Sequence, residues 1–208
     1  MCKRWTADAG EHRAPQCFKA ASATVVAAEG QIVSALPTRA TVEGWHLGMF
    51  AGVPPIDYYA GNCRGVESAR PCLAINVSVG PNPGSDYQVA RQDADSLFHA
   101  ATAQILKLES ELPSLSPEER MKRIAVVVGV TVGAFIKIHP FVNGNGRTSR
   151  MLWRILLRRF NLPAQLSVVK RPDAPYDSVM NQAMTGDYSA CISMVLNGLA
   201  SGAVPAAV

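Results

Sequence analysis

A histidine and two arginines flank a loop of glycine and asparagine in the segment KIHPFVNGNGRTSRMLW, residues 137–153. His139 precedes the loop, and Arg147 and Arg150 follow it three positions apart. Histidine titrates near neutral pH and is the commonest general base. Guanidinium groups at i and i+3 of a helix share one face and repel each other unless an anion lies between them. This spacing indicates a base beside a site for a polyphosphate.

The loop has the composition of a site that binds anions. Gly144 and Gly146 permit backbone conformations closed to other residues and let a ligand approach the backbone. A glycine-containing loop that leads into a helix presents N–H groups at the positive end of the helix dipole, and such sites bind phosphate. Asn143 adds a neutral oxygen that suits a Mg²⁺ ion retaining most of its waters. From the residues alone, attack on phosphorus and a plain interhelical turn are equally good interpretations.

A capping box predicts where the helix before the loop begins. Ser116 can cap this helix, Pro117 suits its first turn, and Glu119 completes the box. We expect the helix to run to Ile138 and to be buried, because apolar character on all sides is typical of a central helix. Pro140 disfavours helical backbone at the residue before it, so the helix should end where the loop begins.

The chain as a whole is predicted to be mainly helical with one small β-hairpin. Further helices are expected at 18–28, 92–112, 147–160, 177–184 and 188–199. LAINVSVG, residues 73–80, alternates as a strand does, and PNPGSD, residues 81–86, is typical of a turn. We expect residues 1–16 to be loosely ordered and residues 17–208 to form a single domain.

Charge is distributed unevenly along a chain whose composition is that of a globular protein. Of its 208 residues 48% are hydrophobic and 17% are charged, and the net charge is +4. Residues 120–172 contain eleven Lys and Arg residues and no Asp or Glu. Such a stretch indicates a solvated face or a surface for an anionic ligand such as nucleotide or nucleic acid. Arg154, Arg158 and Arg159 extend the basic face of the second helix and are interpreted as solvated, with recruitment of an acidic target as the alternative.

Cysteine usage and hydropathy predict the compartment. The five cysteines are an odd number without CxxC spacing, which argues against a disulfide framework and a zinc site and favours a reducing compartment. The N-terminus has no apolar core of a signal peptide, and the uncharged segment at 124–136 is shorter than the roughly 20 residues of a membrane span. We expect a cytoplasmic protein without a membrane partner. Delivery into another cell by a route that needs no cleaved signal stays open.

The stretch HPFVNGNGRTSR, residues 139–150, resembles the signature of the Fic family, HPFx(D/E/N)GNGRxxR, at every fixed position. HLGMF and YYAGNCRG, residues 46–50 and 58–65, look like the entry helix and the aGxxR segment of that family. The predicted hairpin lies where the family has its target-binding flap. The resemblance therefore implies a Fic-type helical domain with a small β-hairpin flap and a core at about 44–200.

The resemblance also implies an activity, the transfer of AMP from ATP to a Ser, Thr or Tyr hydroxyl of a target protein with release of pyrophosphate. In that reaction His139 would deprotonate the hydroxyl for attack on the α-phosphorus. Arg147 would neutralise phosphate charge, and Arg150 would hold the γ-phosphate. Positioning and electrostatic stabilisation are the means by which enzymes catalyse such transfers.

The loop would hold the phosphates and the metal. By the same resemblance, Gly144, Asn145 and Gly146 would form the anion hole for the α- and β-phosphates, and Asn143 would be the Mg²⁺ ligand. Most active members have Asp or Glu where this chain has Asn143, and a neutral ligand binds Mg²⁺ more weakly. The alternative is therefore a nucleotide-binding regulatory or degenerate Fic protein with little transferase activity.

The resemblance further implies partners and a means of inhibition. A target protein would dock by main-chain pairing on the flap around Ile75–Val79. In many Fic proteins a glutamate pairs with the second arginine of the signature, here Arg150, and Glu29 is the candidate for that inhibitory residue. A separate inhibitory partner stays open. Nucleic acid is a weaker expectation, since two buried helices and a phosphate loop account for most of the basic stretch.

Overall fold

The computed structural model describes residues 2–5, 15–32, 35–163, 166–170, 172 and 174–200, which form seven α-helices and one two-stranded sheet. The helices are α1 (Pro15–Gln31), α2 (Arg39–Phe50), α3 (Ala90–Glu111), α4 (Pro117–Ile138), α5 (Asn145–Arg159), α6 (Tyr176–Met184) and α7 (Ser189–Ala200). The strands β1 (Ser78–Val79) and β2 (Asn82–Pro83) lie between α2 and α3. The architecture is mainly α with a small hairpin, as the sequence predicts.

Helix α4 is the central element of the fold, in contact with α3, α5, α6 and α7. Its capping box is complete, because the Ser116 hydroxyl accepts from the Glu119 N–H and the Glu119 carboxylate accepts from the Ser116 N–H. Val128, Val132 and Phe135 are fully buried within it. Burial between neighbouring helices offsets the weak helix propensity of its β-branched run, so the predicted central helix is confirmed.

Two glycines of α4 allow α7 to pack closely against it. A Cβ atom at Gly129 would lie 2.7 Å from the backbone of Ile192, and one at Gly133 would lie 2.6 Å from the ring of Tyr188. Real Cβ atoms do not approach other heavy atoms so closely. Glycine lowers helix stability at these positions, but it is required for α4 and α7 to come together.

The hairpin is shorter than the sequence predicts. Ser78 pairs with Pro83 and Val79 with Asn82 in antiparallel register, and Gly80 turns the chain with a φ of +58°. Pro83 has no N–H to donate, which limits the ladder on its strand. Residues 74–77, predicted to continue the first strand, have no regular structure.

The predicted helices are all present within the described residues, with shifted ends. Helix α1 ends at Gln31, three residues after its predicted end, and α5 begins at Asn145, two residues before the predicted start. Asp187 accepts from the Ser189 N–H at 2.9 Å at the start of α7, as a capping residue does. No helix in the described ranges has both the length and the hydropathy needed to cross a membrane.

A disulfide joins Cys2 to Cys72, so the expectation that the cysteines form no disulfide is wrong. The two residues are 70 positions apart in the sequence, and their Cα atoms lie 5.5 Å apart. Only the fold brings them together, which is why the local spacing of cysteines gave no sign of the pair. The other three cysteines, Cys17, Cys63 and Cys191, are buried. The cysteine pattern therefore no longer supports a reducing compartment.

The first residues of the chain are attached to the core. Trp5 is buried, and the Tyr59 hydroxyl donates to the carbonyl of Lys3 at 3.0 Å. Of the segment predicted to be loosely ordered, residues 1–16, residue 1 and residues 6–14 lie outside the described residues, and residues 15–16 belong to α1.

We predict opposite effects of alanine at two helical glycines. Gly129→Ala should lower the free energy of unfolding by about 1–3 kcal/mol, because its methyl group would displace the backbone of α7. Gly44→Ala, in α2 and with no atom within 4 Å of the new Cβ, should raise it by about 1 kcal/mol through helix propensity. Urea denaturation of both variants measures the difference, and equal effects would contradict the close packing of α4 and α7.

Candidate active site

The loop between α4 and α5, residues 139–144, is called the connecting loop below. His139 adopts a left-handed conformation with φ of +51° and ends α4, its N–H donating to the Phe135 carbonyl at 3.0 Å. Asn145 then spans the loop, because its side chain accepts from the Phe141 N–H and donates to the Phe141 carbonyl. Phe141 is fully buried, as expected of a core anchor. The Asn145 side chain therefore shapes the loop, while its backbone N–H lies in the first turn of α5.

Glycine is required at position 144 by the backbone conformation and by the neighbouring side chains. Its φ is +79°, and a Cβ atom there would lie 2.6 Å from the Phe50 ring and 2.8 Å from Nε2 of His46. The tight approach allows Gly144 to serve as the N-cap of α5, whose first turn contains no acidic residue. The positive end of the α5 dipole is thus left for a ligand.

His46 supports the loop from α2. Its Nδ1 accepts from the Gly61 N–H at 2.9 Å, so its Nε2 carries the proton and donates to the Asn143 carbonyl at 2.9 Å. The ring stacks on Phe141 with centroids 3.9 Å apart. His46 thus supports the connecting loop through two hydrogen bonds and a stacking contact.

Arg64 joins the end of α4 to both sides of the hairpin, a role that sequence reasoning missed. The side chain is fully buried and donates to the carbonyls of His139, Ile138, Ile75 and Ser85 at 2.9–3.0 Å. Burial lowers its pKa to about 10, which leaves it charged at neutral pH. The one available signal was its place in the aGxxR-like segment.

His139 is held in the tautomer that a general base needs. Its Nδ1 lies 3.0 Å from the Ile136 carbonyl and must donate to it, so Nε2 carries the lone pair. Burial lowers the pKa of His139 to about 4, and the charge of Arg64 acts in the same direction against the effect of the Ile136 carbonyl. The imidazole is therefore neutral at pH 7 and can accept a proton.

A cavity of about 950 Å³ lies against His139 and the start of α5. Its walls come from residues 143–147, from the hairpin tip at 79–82, from Phe18 of α1 and from the inner face of α6. The volume falls in the range of small-molecule sites. The sequence-predicted residues His139, Asn143, Gly144, Asn145, Gly146, Arg147 and Arg150 all line this cavity.

Arg147 and Arg150 leave α5 towards different walls of the cavity. The Arg147 guanidinium lies 5.3 Å from the ring centroid of Phe50 and 6.0 Å from that of Phe18. Burial lowers its pKa, and the charge of Arg150 lowers it further. Two positive charges so placed favour an anion in the space between them.

Arg150 is partly committed to the protein itself. It donates to the carbonyls of Ser167, Gly146 and Val168 at 2.9–3.1 Å, and its guanidinium lies 5.6 Å from the centroid of the Tyr176 ring. These bonds use three of its five N–H groups. The residue thus anchors residues 167–168 as well as facing the cavity.

Asn143 offers one neutral oxygen to a cation. Its Oδ1 accepts from the Gly144 N–H at 2.7 Å, and its Nδ2 donates to the Trp5 carbonyl at 3.1 Å. An amide oxygen has a second lone pair, so a Mg²⁺ ion fits if phosphate oxygens and water supply its other ligands. Among the described residues no three His, Cys, Asp or Glu side chains are grouped as metal ligands.

Glu29 is placed away from Arg150. Its Oε1 accepts from Nε of Arg154 at 2.7 Å and from Nε of Arg158 at 3.2 Å. Partial burial raises the pKa of Glu29, but the two arginines lower it by more, so the net shift is downward.

The basic face of α5 is not merely solvated, as the sequence was interpreted. Arg154 is buried, so that interpretation is wrong for this residue, and Arg159 is paired with Glu109.

This chain is similar to known proteins in part of its sequence and in its fold. Residues 74–157 match the Fic/DOC family, and the match contains the whole segment 139–150. The fold is similar to that of the BepC protein of Bartonella tribocorum, a VirB-translocated effector solved with bound AMPPNP, with 16% identity, a TM-score of 0.52, and 88% of this chain and 85% of that one covered. It is also similar to a Fic domain-containing signaling protein of Bacteroides thetaiotaomicron, with 16% identity, a TM-score of 0.58, and 88% and 69% covered.

We predict that Glu29→Gln destabilises the protein without changing its affinity for nucleotide. The free energy of unfolding should fall by about 1–3 kcal/mol, because buried Arg154 loses its charged partner. Urea denaturation and calorimetric titration with ATP measure the two quantities. A variant that binds ATP more tightly at unchanged stability would instead support the inhibitory role of Glu29.

Proposed function

We propose that this chain, which carries a Fic/DOC family domain over residues 74–157, transfers AMP from ATP to a Ser, Thr or Tyr hydroxyl of a target protein. The observation that carries the proposal is the state of His139. Its Nδ1 is occupied by the Ile136 carbonyl, and it lines the same cavity as the positive end of α5. A neutral base beside a phosphate site is the arrangement that attack on phosphorus requires.

In the proposed step, Nε2 of His139 takes the proton of the incoming hydroxyl as its oxygen attacks the α-phosphorus. The bond from the α-phosphorus to the bridging oxygen breaks, and pyrophosphate leaves with the electron pair. Arg147 faces the cavity and neutralises charge that spreads over the phosphate oxygens. Pre-positioned charge of this kind lowers the barrier because it needs no reorganisation during the reaction.

The phosphates are proposed to lie at the start of α5. The backbone N–H groups of Asn145 and Gly146 and the helix dipole favour negative charge there, and no first-turn carboxylate competes. The N–H of Gly144, also predicted to belong to the anion hole, already donates to Oδ1 of Asn143 at 2.7 Å. Arg150 has N–H groups beyond its three carbonyl bonds for the γ-phosphate. A Mg²⁺ ion held by Asn143 and the phosphates would withdraw charge from the phosphate oxygens and orient them.

The nucleoside is proposed to lie along α6. Tyr176, Met180 and Met184 form an apolar wall of the cavity there, and Asp177 and Asn181 add polar groups on the same helix. An apolar wall with a few polar groups is typical of a site for a flat heterocycle.

A target segment is proposed to dock on the hairpin. The predicted docking stretch Ile75–Val79 contains β1, which pairs only with β2 among the described residues. A Cβ atom at Gly84 would lie 2.9 Å from Cβ of His139, so the hairpin rests directly on the base. A strand added to β1 would therefore carry its hydroxyl past His139.

One observation favours the second function, a nucleotide-binding protein with little transfer. Asn143 is neutral, and its amide already bonds to Gly144 and to the Trp5 carbonyl. Weak Mg²⁺ binding at this residue would slow transfer while leaving the arginines and the α5 N-terminus able to bind nucleotide.

The decisive test uses ATP labelled at the α-phosphate, with Mg²⁺ and a cell lysate. We expect His139→Ala to lower labelling of protein by about 10²- to 10⁴-fold, the usual contribution of a general base, while ATP affinity stays within about 3-fold of the wild type. His99→Ala, an exposed histidine on α3, is the matched control and should label normally. Equal labelling by His139→Ala would refute the assignment, and ATP binding without any labelling would select the second function.

We also predict the pH dependence of transfer. Because the pKa of His139 is lowered to about 4, the base stays deprotonated as the pH falls from 8 to about 5.5, and kcat/KM for ATP should stay level over this range. The decline should begin only as the pH approaches the folded-state pKa. Circular dichroism at each pH shows that the protein is folded, and a decline centred near pH 6.5 would contradict the buried, neutral imidazole.

A further inference from the structure

Residues 2–5 form a short segment, called the strap below, that is fixed to the core at both of its ends. Cys2 is joined to Cys72 by the disulfide, and the Lys3 carbonyl accepts from the Tyr59 hydroxyl. At the other end Trp5 is 5% exposed. The strap therefore has a covalent attachment far from the connecting loop and a buried ring close to it.

Trp5 packs on the residues that support the connecting loop. Its ring lies edge-on to the rings of His46 and Phe50, with centroids 5.9 Å and 5.5 Å away. It is parallel to the ring of Tyr59, with centroids 6.3 Å apart. His46 donates to the Asn143 carbonyl, and Phe50 lies under the Arg147 guanidinium. The strap thus backs the residues that hold the phosphate site in place.

The main chain of Trp5 also reaches the loop directly. Nδ2 of Asn143 donates to the Trp5 carbonyl at 3.1 Å, while Oδ1 accepts from the Gly144 N–H at 2.7 Å. Making both bonds requires one donor and one acceptor on the same short side chain, which asparagine has. An aspartate would keep the bond from Gly144 but would set a carboxylate oxygen against the Trp5 carbonyl, two acceptors without a proton between them.

We propose that the strap is a positioning element of the connecting loop and that Asn143 is matched to it. With the Cys2–Cys72 bond closed, the Trp5 carbonyl fixes the Asn143 amide with its oxygen on the Gly144 side, which is also the side of the cavity. The strap thereby gives a physical reason for asparagine and not aspartate at position 143. The inference rests on the proposed function only in taking the start of α5 as the phosphate site.

The attachment of the strap is reversible by thiols. A dithiol such as dithiothreitol gives two electrons and two protons to the S–S bond, which breaks to leave the Cys2 and Cys72 thiols, and the dithiol becomes a cyclic disulfide. The strap then loses its attachment to residue 72 and keeps the packing of Trp5 and its hydrogen bonds. Opening of the loop should become more frequent, because the tether no longer returns Trp5 to the same place.

The first experiment measures hydrogen exchange of the backbone amides of residues 144–147 in the full chain without nucleotide. Among them Gly144 donates to Oδ1 of Asn143 and Arg147 to the Gly144 carbonyl, so these two amides report opening of the loop. Dithiothreitol should speed their exchange by roughly 5- to 10-fold, the factor expected when one buried hydrogen bond is lost, while amides in the middle of α4 stay unchanged. The variant Cys2→Ser/Cys72→Ser should show the faster exchange from the outset and no response to dithiothreitol. Unchanged exchange at 144–147 on reduction would overturn the proposal.

The second experiment tests the match between Asn143 and the strap by a double-mutant cycle. Asn143→Asp should speed exchange at residues 144–147 in the oxidised protein, and it should have a much smaller effect in Cys2→Ser/Cys72→Ser. Equal effects in the two backgrounds would show that the strap and residue 143 are independent and would overturn the match. Calorimetric titration should show that ATP binds most weakly when the Cys2–Cys72 bond is open.

These readouts separate the two proposals of this protein. Hydrogen exchange needs no transferase activity, so a chain that binds ATP without labelling protein would still show the effect of the strap. Normal labelling of protein in dithiothreitol, together with unchanged exchange at residues 144–147, would support the proposed function and refute the positioning role of the strap.

Discussion

The buried guanidinium of Arg64 is the interaction on which the site depends. A charge removed from water is costly unless polar groups surround it, and here four backbone carbonyls do so. Two of these carbonyls, those of Ile138 and His139, end α4, and the other two, those of Ile75 and Ser85, belong to the stems of the hairpin. One side chain therefore fixes the distance between the proposed base and the surface on which a target would lie.

A second set of contacts fixes the other side of the connecting loop. His46 holds the Asn143 carbonyl, the Asn145 side chain spans the loop, and the Trp5 carbonyl holds the Asn143 amide. Each uses an acceptor or donor of the loop that would otherwise face a low-dielectric interior. The loop is consequently rigid on its inner side, while the N–H groups at the start of α5 remain directed to the cavity.

Some residues of the segment 139–150 maintain its shape, and others face the cavity. The side chain of Asn145 is hydrogen-bonded to the backbone of Phe141, and Arg150 donates three N–H groups to backbone carbonyls. His139 and Arg147 line the cavity, one neutral because burial lowers its pKa and one charged beside aromatic rings. Pre-organised sites of this kind gain their effect from groups that need not move when a ligand binds.

Local signals account for what could be predicted. The capping box at Ser116 and the end of α4 before Pro140 depend on residues a few positions apart, whose interactions act within one element. The hairpin was predicted in the right place but too long, because the carbonyl of Ile75 bonds to Arg64 and not to a neighbouring strand. The grouping of His139, Asn143 and Arg147 also followed from sequence, since one continuous segment contains them all.

The sequence by itself determined a mainly helical chain with a base, a glycine loop and two arginines in one segment. Only the tertiary structure decided how that segment is held, because its supports come from residues distant in the chain. Arg64, His46 and the Cys2–Cys72 pair act across about 70 or more positions, and no local pattern marks such contacts. The placement of Glu29 on Arg154 was decided in the same way, since the register of α1 against α5 depends on packing and not on either helix alone.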